Sequence, residues 1–541
     1  MLLDFELDLS RHDDKFCGIP VVDNVKVLGH YFGKDKGICE FQNFYSKITK
    51  FEKIENIWKQ RPLTLLGKNL LINSLLNSLF IFNAQIEIPP TEFIKIIDAK
   101  NKNFLWGGTA KIAHHSLIGD YYEGGIKYKD LQTFVMALNY KFIFRLNNTC
   151  NLNSTCLPRS WLLQLFKIPA GNNEDDQNYF HDFFSNSLSI LDCKIKVPRK
   201  ASWKGHPYYH EILKSYENCT QQLPKSPENI LSIPIWFNRY LSTKFNQQVS
   251  MAGFNYLRDL FMDGQPLTFN HVNSLNLTPA LRRSLVNILQ KIPNYIQNLI
   301  GRATQKQMAI FPFQTINHNG TDHTLTKMDS KAIYSVLIYP KVKMPKGLLN
   351  WCADLELSDE QIKTSLTFAH KCCTNVFDRV FQFKIVTQIL PTNEYLFRYK
   401  VKDANTCENC NLECDTIEHR LYNCEKIVPI VTRIFSFLEN ECNLLSSINM
   451  VDYLFGKIGG KYLALNQILL ELKKDIFYNA NEFDSSEAFC EHFICNLRSL
   501  MTKEKQLALK NDKFVNFNLK WEHFTAIYDF RGPDMHPNIV D

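Results

Sequence analysis

The chain has 541 residues, 45% of them hydrophobic, and a formal net charge of +7, a length that accommodates roughly three to four domains with ordinary cores. That charge is too modest for this length to mark a nucleic-acid binder by itself, and no apolar run approaches the roughly 20 residues that cross a bilayer. The opening stretch, MLLDFELDLSRHDDKFCGIP, is acidic and interrupted by charge, so no signal peptide or membrane anchor is expected; the expectation is an intracellular protein of nucleus or cytoplasm, where lone cysteines stay reduced and clustered ones hold metal.

In chain order, VVDNVKVLGHYFG (21–33) mixes β-branched and aromatic residues and ends on glycine, which predicts one or two short strands. The pattern then turns helical. In TLLGKNLLINSLLNSLFIF, Leu71, Leu75, Leu79 and Phe82 recur at intervals of 4, 4 and 3 and predict a core-facing stripe, with Asn69, Asn73 and Asn77 on the opposite face. Gly67, Ser74 and Ser78 make a third stripe with little side-chain bulk. Pro89 and Pro90 end this helix, and Thr91 N-caps the next. Gly107-Gly108 and Gly124-Gly125 mark turns before a helix near Leu131 to Leu146. Between Ser46 and Arg145 there are 14 Lys and Arg against 8 Asp and Glu, a surplus of 14 − 8 = 6, so most of the net positive charge sits there.

From 148 to 330 the pattern weakens into polar loops and short aromatic-rich helical segments with no assignable chemistry. It sharpens again at Ala332 and runs to a cysteine cluster. Beyond that cluster, Leu465, Leu469, Leu472 and Ile476 predict one helical stripe, and Phe489, Phe493, Leu497 and Leu500 another. The second has Asp484 at the N-cap and Glu487 three residues on. The fold class is mainly α.

The cluster, CENCNLECDTIEHRLYNC (407–424), holds four cysteines and one histidine in eighteen positions. Cys407, Cys410, His419 and Cys424 give Cys-x2-Cys-x8-His-x4-Cys, a closed set of four ligands that suits structural, tetrahedral Zn2+ with no position left for water. Cys414 is a fifth candidate that spacing alone does not exclude; it fits as a bystander on the intervening loop. Unrelated buried thiols are the plainer alternative. A Cys–His hydrolase built from His370, Cys372 and Cys373 lacks a glycine-rich oxyanion loop.

The residues flanking the cluster, FKIVTQILPTNEYLFRYKV before it and TIEHRLYNC closing it, resemble the reverse-transcriptase zinc-binding domain downstream of the polymerase in LINE-type non-LTR retrotransposons. That pattern has a basic helix, an LPT step, the C-x2-C pair and an ETIEH-x4-C closure; Asp415 stands where glutamate is common. A second block agrees. VKVLGHYFG, IENIWKQRPLTLLGKNLLINSLLNSLFIFNAQIEIPP, NFLWGG and EGGIKYKDLQTFVMALNYKFIFR are similar to the segment after the palm in the same enzymes, with Val27 replacing the aromatic before Leu28-Gly29.

The resemblance implies a palm-edge remnant (1–45), a thumb-like helical domain (46–150), a helical connector (151–330), a zinc-binding domain (331–430) and a helical C-terminal tail (431–541). In that family the two Mg2+ of nucleotide transfer are held by carboxylates upstream of the LG strand. Only 27 residues precede Leu28 in this sequence, and Asp13 and Asp14, flanked by Arg11, His12 and Lys15, read as a solvated turn. The expected function is therefore non-catalytic binding of RNA or DNA, template-primer or element RNA, as the carboxy-terminal portion of a reverse transcriptase whose palm comes from a separate product. Phosphate contacts implied by the resemblance are Lys53, Lys59, Arg61 and Lys68 at the thumb and Arg398, Lys400, Lys402 and Arg420 around the zinc. Tyr395, Phe397 and Tyr399 are available to stack on bases; the spacing of the last two leaves at least one exposed. A relict or co-opted helical protein acting as a protein-interaction scaffold is the alternative.

Overall fold

The structure is a computed structural model that describes residues 15–147, 235–297 and 315–529, apart from short gaps inside those ranges. It is mainly helical, with short two-stranded antiparallel hairpins. Two compact units emerge: the first from residues 1–54, 75–99 and 129–341, the second from 55–74, 100–128 and 342–541. The thumb-like stretch 46–150 thus contributes to both. Asp13 and Asp14 lie outside the described residues, as does most of 151–330.

In the first unit, Asn24–Val27 pairs antiparallel with His30–Gly33. Leu28 and Gly29 between them have φ of 49° and 89°, the left-handed pair that a two-residue hairpin turn requires. Asn43, fully buried at the end of helix Lys36–Asn43, fixes the hairpin by accepting from the Tyr31 amide (2.8 Å) and donating to the Tyr31 carbonyl (2.9 Å). Helix Ser330–Ile338 packs on helix Leu131–Asn147. A separate small core of Leu257, Leu260, Val272 and Leu285 forms within 235–292, the region whose pattern is weakest in sequence.

The stripe at 71–82 is turned the other way from the sequence expectation. The chain runs as helix Leu65–Leu71, a π-turn Ile72–Leu76, then helix Ser78–Ile86. Ile72, Leu76, Phe80 and Ala84 are buried, while Leu75 and Phe82 are 39% and 47% exposed. Asn69 and Asn77 face inward. The reason is that both neighbouring stripes are apolar, so periodicity alone cannot choose between them. The buried asparagine decides: Asn69 Nδ2 donates to the Ile126 carbonyl at 2.6 Å. Ser74 and Ser78 point outward and bond back to the carbonyls of Leu70 and Leu75. Among the described residues, no single helix is long and apolar enough to cross a membrane.

The second unit is wrapped around helix Leu463–Asn479, whose Leu465, Leu469, Leu472 and Ile476 are buried as the stripe predicts. Helix Ser486–Lys510 covers it with Phe489, Phe493 and Leu497. Its cap is Ser485, one residue beyond the expected Asp484: Ser485 Oγ accepts from the Ala488 amide at 3.2 Å. Glu487 pairs with Arg433. Gly347 is required by packing, since a Cβ there would stand 2.2 Å from the Thr387 carbonyl oxygen.

Lys473 lies at the centre of this unit with no exposed surface. Its Nζ donates to Gln382 Oε1 (2.8 Å) and to the Leu454 carbonyl (2.9 Å). Burial lowers its pKa to about 7, against about 10.4 in an unfolded chain. A neutral amine still carries two N–H donors for those two acceptors. Between the two pKa values the unfolded chain holds a proton that the folded chain does not, so stability rises with pH across that window. Lys473→Met should flatten that rise. By leaving Gln382 Oε1 without its donor, while the Leu454 carbonyl keeps the Gln382 amide (2.9 Å), it should also lower stability at the alkaline end by about 1–3 kcal/mol. Urea denaturation of both proteins at the two ends of the window tests this, and parallel pH profiles would contradict it.

Candidate metal centre

The approach to the cysteine cluster is built by helix Val376–Val386 and the LPT step. Thr392 Oγ1 accepts from the Tyr395 amide (3.4 Å) and so caps helix Asn393–Arg398. The chain reverses at Lys400, φ 57°, and returns through a bridge between Thr406 and Cys414. The C-x2-C turn closes when the Cys407 amide donates to the Glu413 carbonyl and the Asn411 amide to the Cys407 carbonyl, both at 2.8 Å, with Asn411 left-handed. Thr416 Oγ1 then accepts from the His419 amide (3.1 Å) at the start of the π-turn His419–Asn423. The Cys424 carbonyl accepts from the amides of Ile427 and Val428, leading into helix Val428–Glu441.

This path brings Cys407, Cys410, His419 and Cys424 together, with their four ligand atoms all within 4.8 Å of one another. Cys407 Sγ is 3.9 Å from Cys424 Sγ, and Cys410 Sγ is 3.3 Å from His419 Nε2. A tetrahedral ion with bonds of about 2.3 Å to sulfur and about 2.0 Å to nitrogen needs edges of about 3.8 Å and about 3.5 Å, so the four residues can hold one metal ion. Cys414 is exposed and outside the set; its Sγ lies against Asn405 Nδ2 at 3.5 Å.

The surroundings prepare the sulfurs unequally. The amides of Glu413 and Leu412 pull the Cys410 thiol down to about 6, whereas burial raises Cys407 and pushes Cys424 up to about 12. Amides of Asn409 and Cys410 face the Cys407 sulfur, and that of Lys426 faces Cys424. Such donors favour thiolates once a cation is present. Glu413 Oε2 stands 2.9 Å from His419 Nδ1 without the alignment of a hydrogen bond.

Two further residues organise the hairpin. Asp415, fully buried, accepts from the Asn393 amide (2.7 Å) and faces Arg420 Nη1 at 3.3 Å. Asn393 Nδ2 donates to the Thr406 carbonyl (2.7 Å), and its Oδ1 accepts from Lys402 Nζ (2.9 Å). Sequence reasoning missed both roles; the adjacency of Asn393 to the LPT step is the only local signal.

The basic residues expected at the hairpin separate into two kinds. Arg420 is 9% exposed, turned inward to Asp415, with its guanidinium over the Phe477 ring at 5.3 Å. Lys402 bonds Asn393 and Glu408. Arg398 pairs with Glu394 on the surface, and Lys400 is exposed with no side-chain partner among the described residues. Phe397 and Tyr399 are 47% and 55% exposed, while Tyr395 is buried. Of the thumb set, Lys53 and Arg61 are exposed, Lys59 pairs with Glu55 at 2.8 Å, and Lys68 is half-buried against the Leu105 carbonyl. His370 stacks on Tyr121 at 4.0 Å. No protein-family model matches this chain, and no curated protein is similar to it.

Replacing Asp415 by Ala should destabilise the second unit by about 1–3 kcal/mol, because it removes the buried partner of Arg420 and the acceptor of the Asn393 amide and leaves only Glu408, 3.8 Å from Arg420 Nη2, to face the guanidinium. Asp415→Ala with Arg420→Met should recover part of that loss. Denaturation midpoints of the two variants check this, and equal losses would show that the pair does not couple.

Proposed function

We propose that Cys407, Cys410, His419 and Cys424 hold one structural Zn2+, and that the protein is the carboxy-terminal, nucleic-acid-binding portion of a LINE-type reverse transcriptase, gripping RNA or DNA without catalysing nucleotide transfer. Zinc fits best because three soft thiolates and an imidazole at tetrahedral spacing leave no open position for substrate or water. The ion ties the C-x2-C turn to the His–Cys return arm in a segment too small to hold that shape by apolar burial alone.

The observation that carries the nucleic-acid reading is what the centre presents outward. The helix locked onto it by Asn393 and Asp415 shows Phe397, Tyr399, Arg398 and Lys400 to solvent. Exposed aromatics beside cations stack on bases while the cations meet phosphates. The Arg398–Glu394 pair, being on the surface, contributes little and exchanges readily for a phosphate.

Metal analysis of protein purified without chelator should find one zinc per chain, lost in Cys407→Ser and retained in Cys414→Ser; a metal-free preparation would refute the assignment. Binding to an RNA–DNA template-primer hybrid over a salt series, beside a random duplex of equal length, should be steeply salt-dependent and prefer the hybrid. Lys400→Ala should lower the log–log salt slope by roughly 0.7 to 0.9, and Phe397→Ala with Tyr399→Ala should weaken binding without changing that slope. Weak binding indifferent to salt would instead favour a protein-interaction scaffold.

A further inference from the structure

The second unit collects a set of positive charges that no single stretch of sequence contains. Helix Leu65–Leu71 packs against helix Val376–Val386. From the first, Lys68 reaches across to the Leu105 carbonyl (3.5 Å) and lies 5.9 Å from the Phe104 ring centroid. The chain leaves that site through Gly107, φ 68°, and turns back to exposed Lys111. Lys111 acts electrostatically on both Lys68 and Lys384, a member of the second helix; after burial, it is the largest influence lowering either amine. Among the described residues, no carboxylate lies within ion-pair distance of Lys68, Lys111 or Lys384. Like charges gathered without a counter-charge raise the free energy of the folded chain, and a bound polyanion reverses that.

Lys111 also lines a cleft of about 230 Å³ with Lys102, Trp106, Ile112 and His114. Its named walls carry cations and an aromatic ring and no carboxylate. A concave site of this size takes one nucleotide unit and not the convex face of a duplex. Cations beside an aromatic ring are the elements that hold single strands irrespective of sequence.

We propose that this cleft and the three lysines form a binding site for a single nucleic-acid strand, with phosphodiesters lying across Lys68, Lys111 and Lys384 and a base or sugar entering beside Trp106. It is distinct from the hairpin surface and rests on the nucleic-acid reading above. The strand supplies the phosphates; a free phosphate ion would share the cation chemistry but has nothing to place against Trp106.

The test uses the full zinc-loaded chain and a fluorescein-labelled oligothymidylate, with anisotropy followed over a salt series. Lys111→Gln should lower the log–log slope by about 0.7 and Lys111→Gln with Lys384→Gln by about 1.4, while Lys111→Arg keeps the wild-type slope. Strand carrying 5-iodouracil should cross-link to Trp106 on irradiation, and Trp106→Phe should lose that adduct with its zinc content unchanged. Inorganic phosphate should compete no better than chloride at equal ionic strength. Unchanged slopes in the Gln variants, alongside a lowered slope in Lys400→Ala, would overturn this site and leave the hairpin reading standing. Failure of the wild-type chain to bind any strand would overturn both. Displacement of the strand by phosphate well beyond the chloride effect would make this a free-anion site and overturn the strand assignment.

Discussion

The hairpin hangs on one buried carboxylate. Asp415 has no exposed surface, and the Asn393 amide and the Arg420 guanidinium meet its charge directly. Burial raises its pKa, and those two partners oppose the rise. A carboxylate in this position is tolerable only while both partners remain. The consequence is geometric: the start of helix Asn393–Arg398, the return strand at Thr406 and the π-turn carrying His419 are held in one relation before any metal enters. The four candidate ligand atoms lie within 4.8 Å of one another on that framework, close enough for one metal ion to draw them together.

The same logic governs the interior of the second unit. Helix Leu463–Asn479 is buried over most of its length, yet it carries Asn466, Gln467 and Lys473 inward. Asn466 accepts from the Lys457 amide and donates to its carbonyl, at 2.7 and 2.9 Å. Gln467 donates to Glu504 (2.8 Å), which also accepts from Trp521 Nε1 (3.0 Å) and Lys520 (2.8 Å). Apolar stripes alone would let neighbouring helices slide by a turn at small cost. Each of these polar groups finds its partners in one register only, so a slip would strand several of them in a dry interior.

This explains which features could be read from sequence. The zinc-type spacing, the stripe of Leu465, Leu469, Leu472 and Ile476, and the short strands within 21–33 depend on residues close together in the chain, and these features stand out in the sequence. The orientation of 71–82 depends on whether Asn69 meets a carbonyl 57 residues away. No local pattern reports that. Arg420 reads as a surface cation for the same reason: its partner Asp415 is only five residues distant, but burial of the pair is decided by Phe477 and the core beneath. Ser485 displaces Asp484 as a cap because the helix starts one residue later than the acidic pair suggests, a difference within the ordinary fraying of helix ends.

A count of basic residues therefore says little about where a polyanion binds. Lys59, Lys402 and Arg420 are each held by a carboxylate, and the Arg420 pair cannot be traded for phosphate without opening the hairpin. Lys400, Lys111 and Lys384 have no such partner among the described residues. The repulsion of Lys111 with Lys68 and Lys384 is a standing cost to the folded chain. On the reading proposed above, an outside counter-charge would relieve that cost. Lys111 and Lys384, for which folding provides no acid among the described residues, are absent from the set that sequence motifs single out.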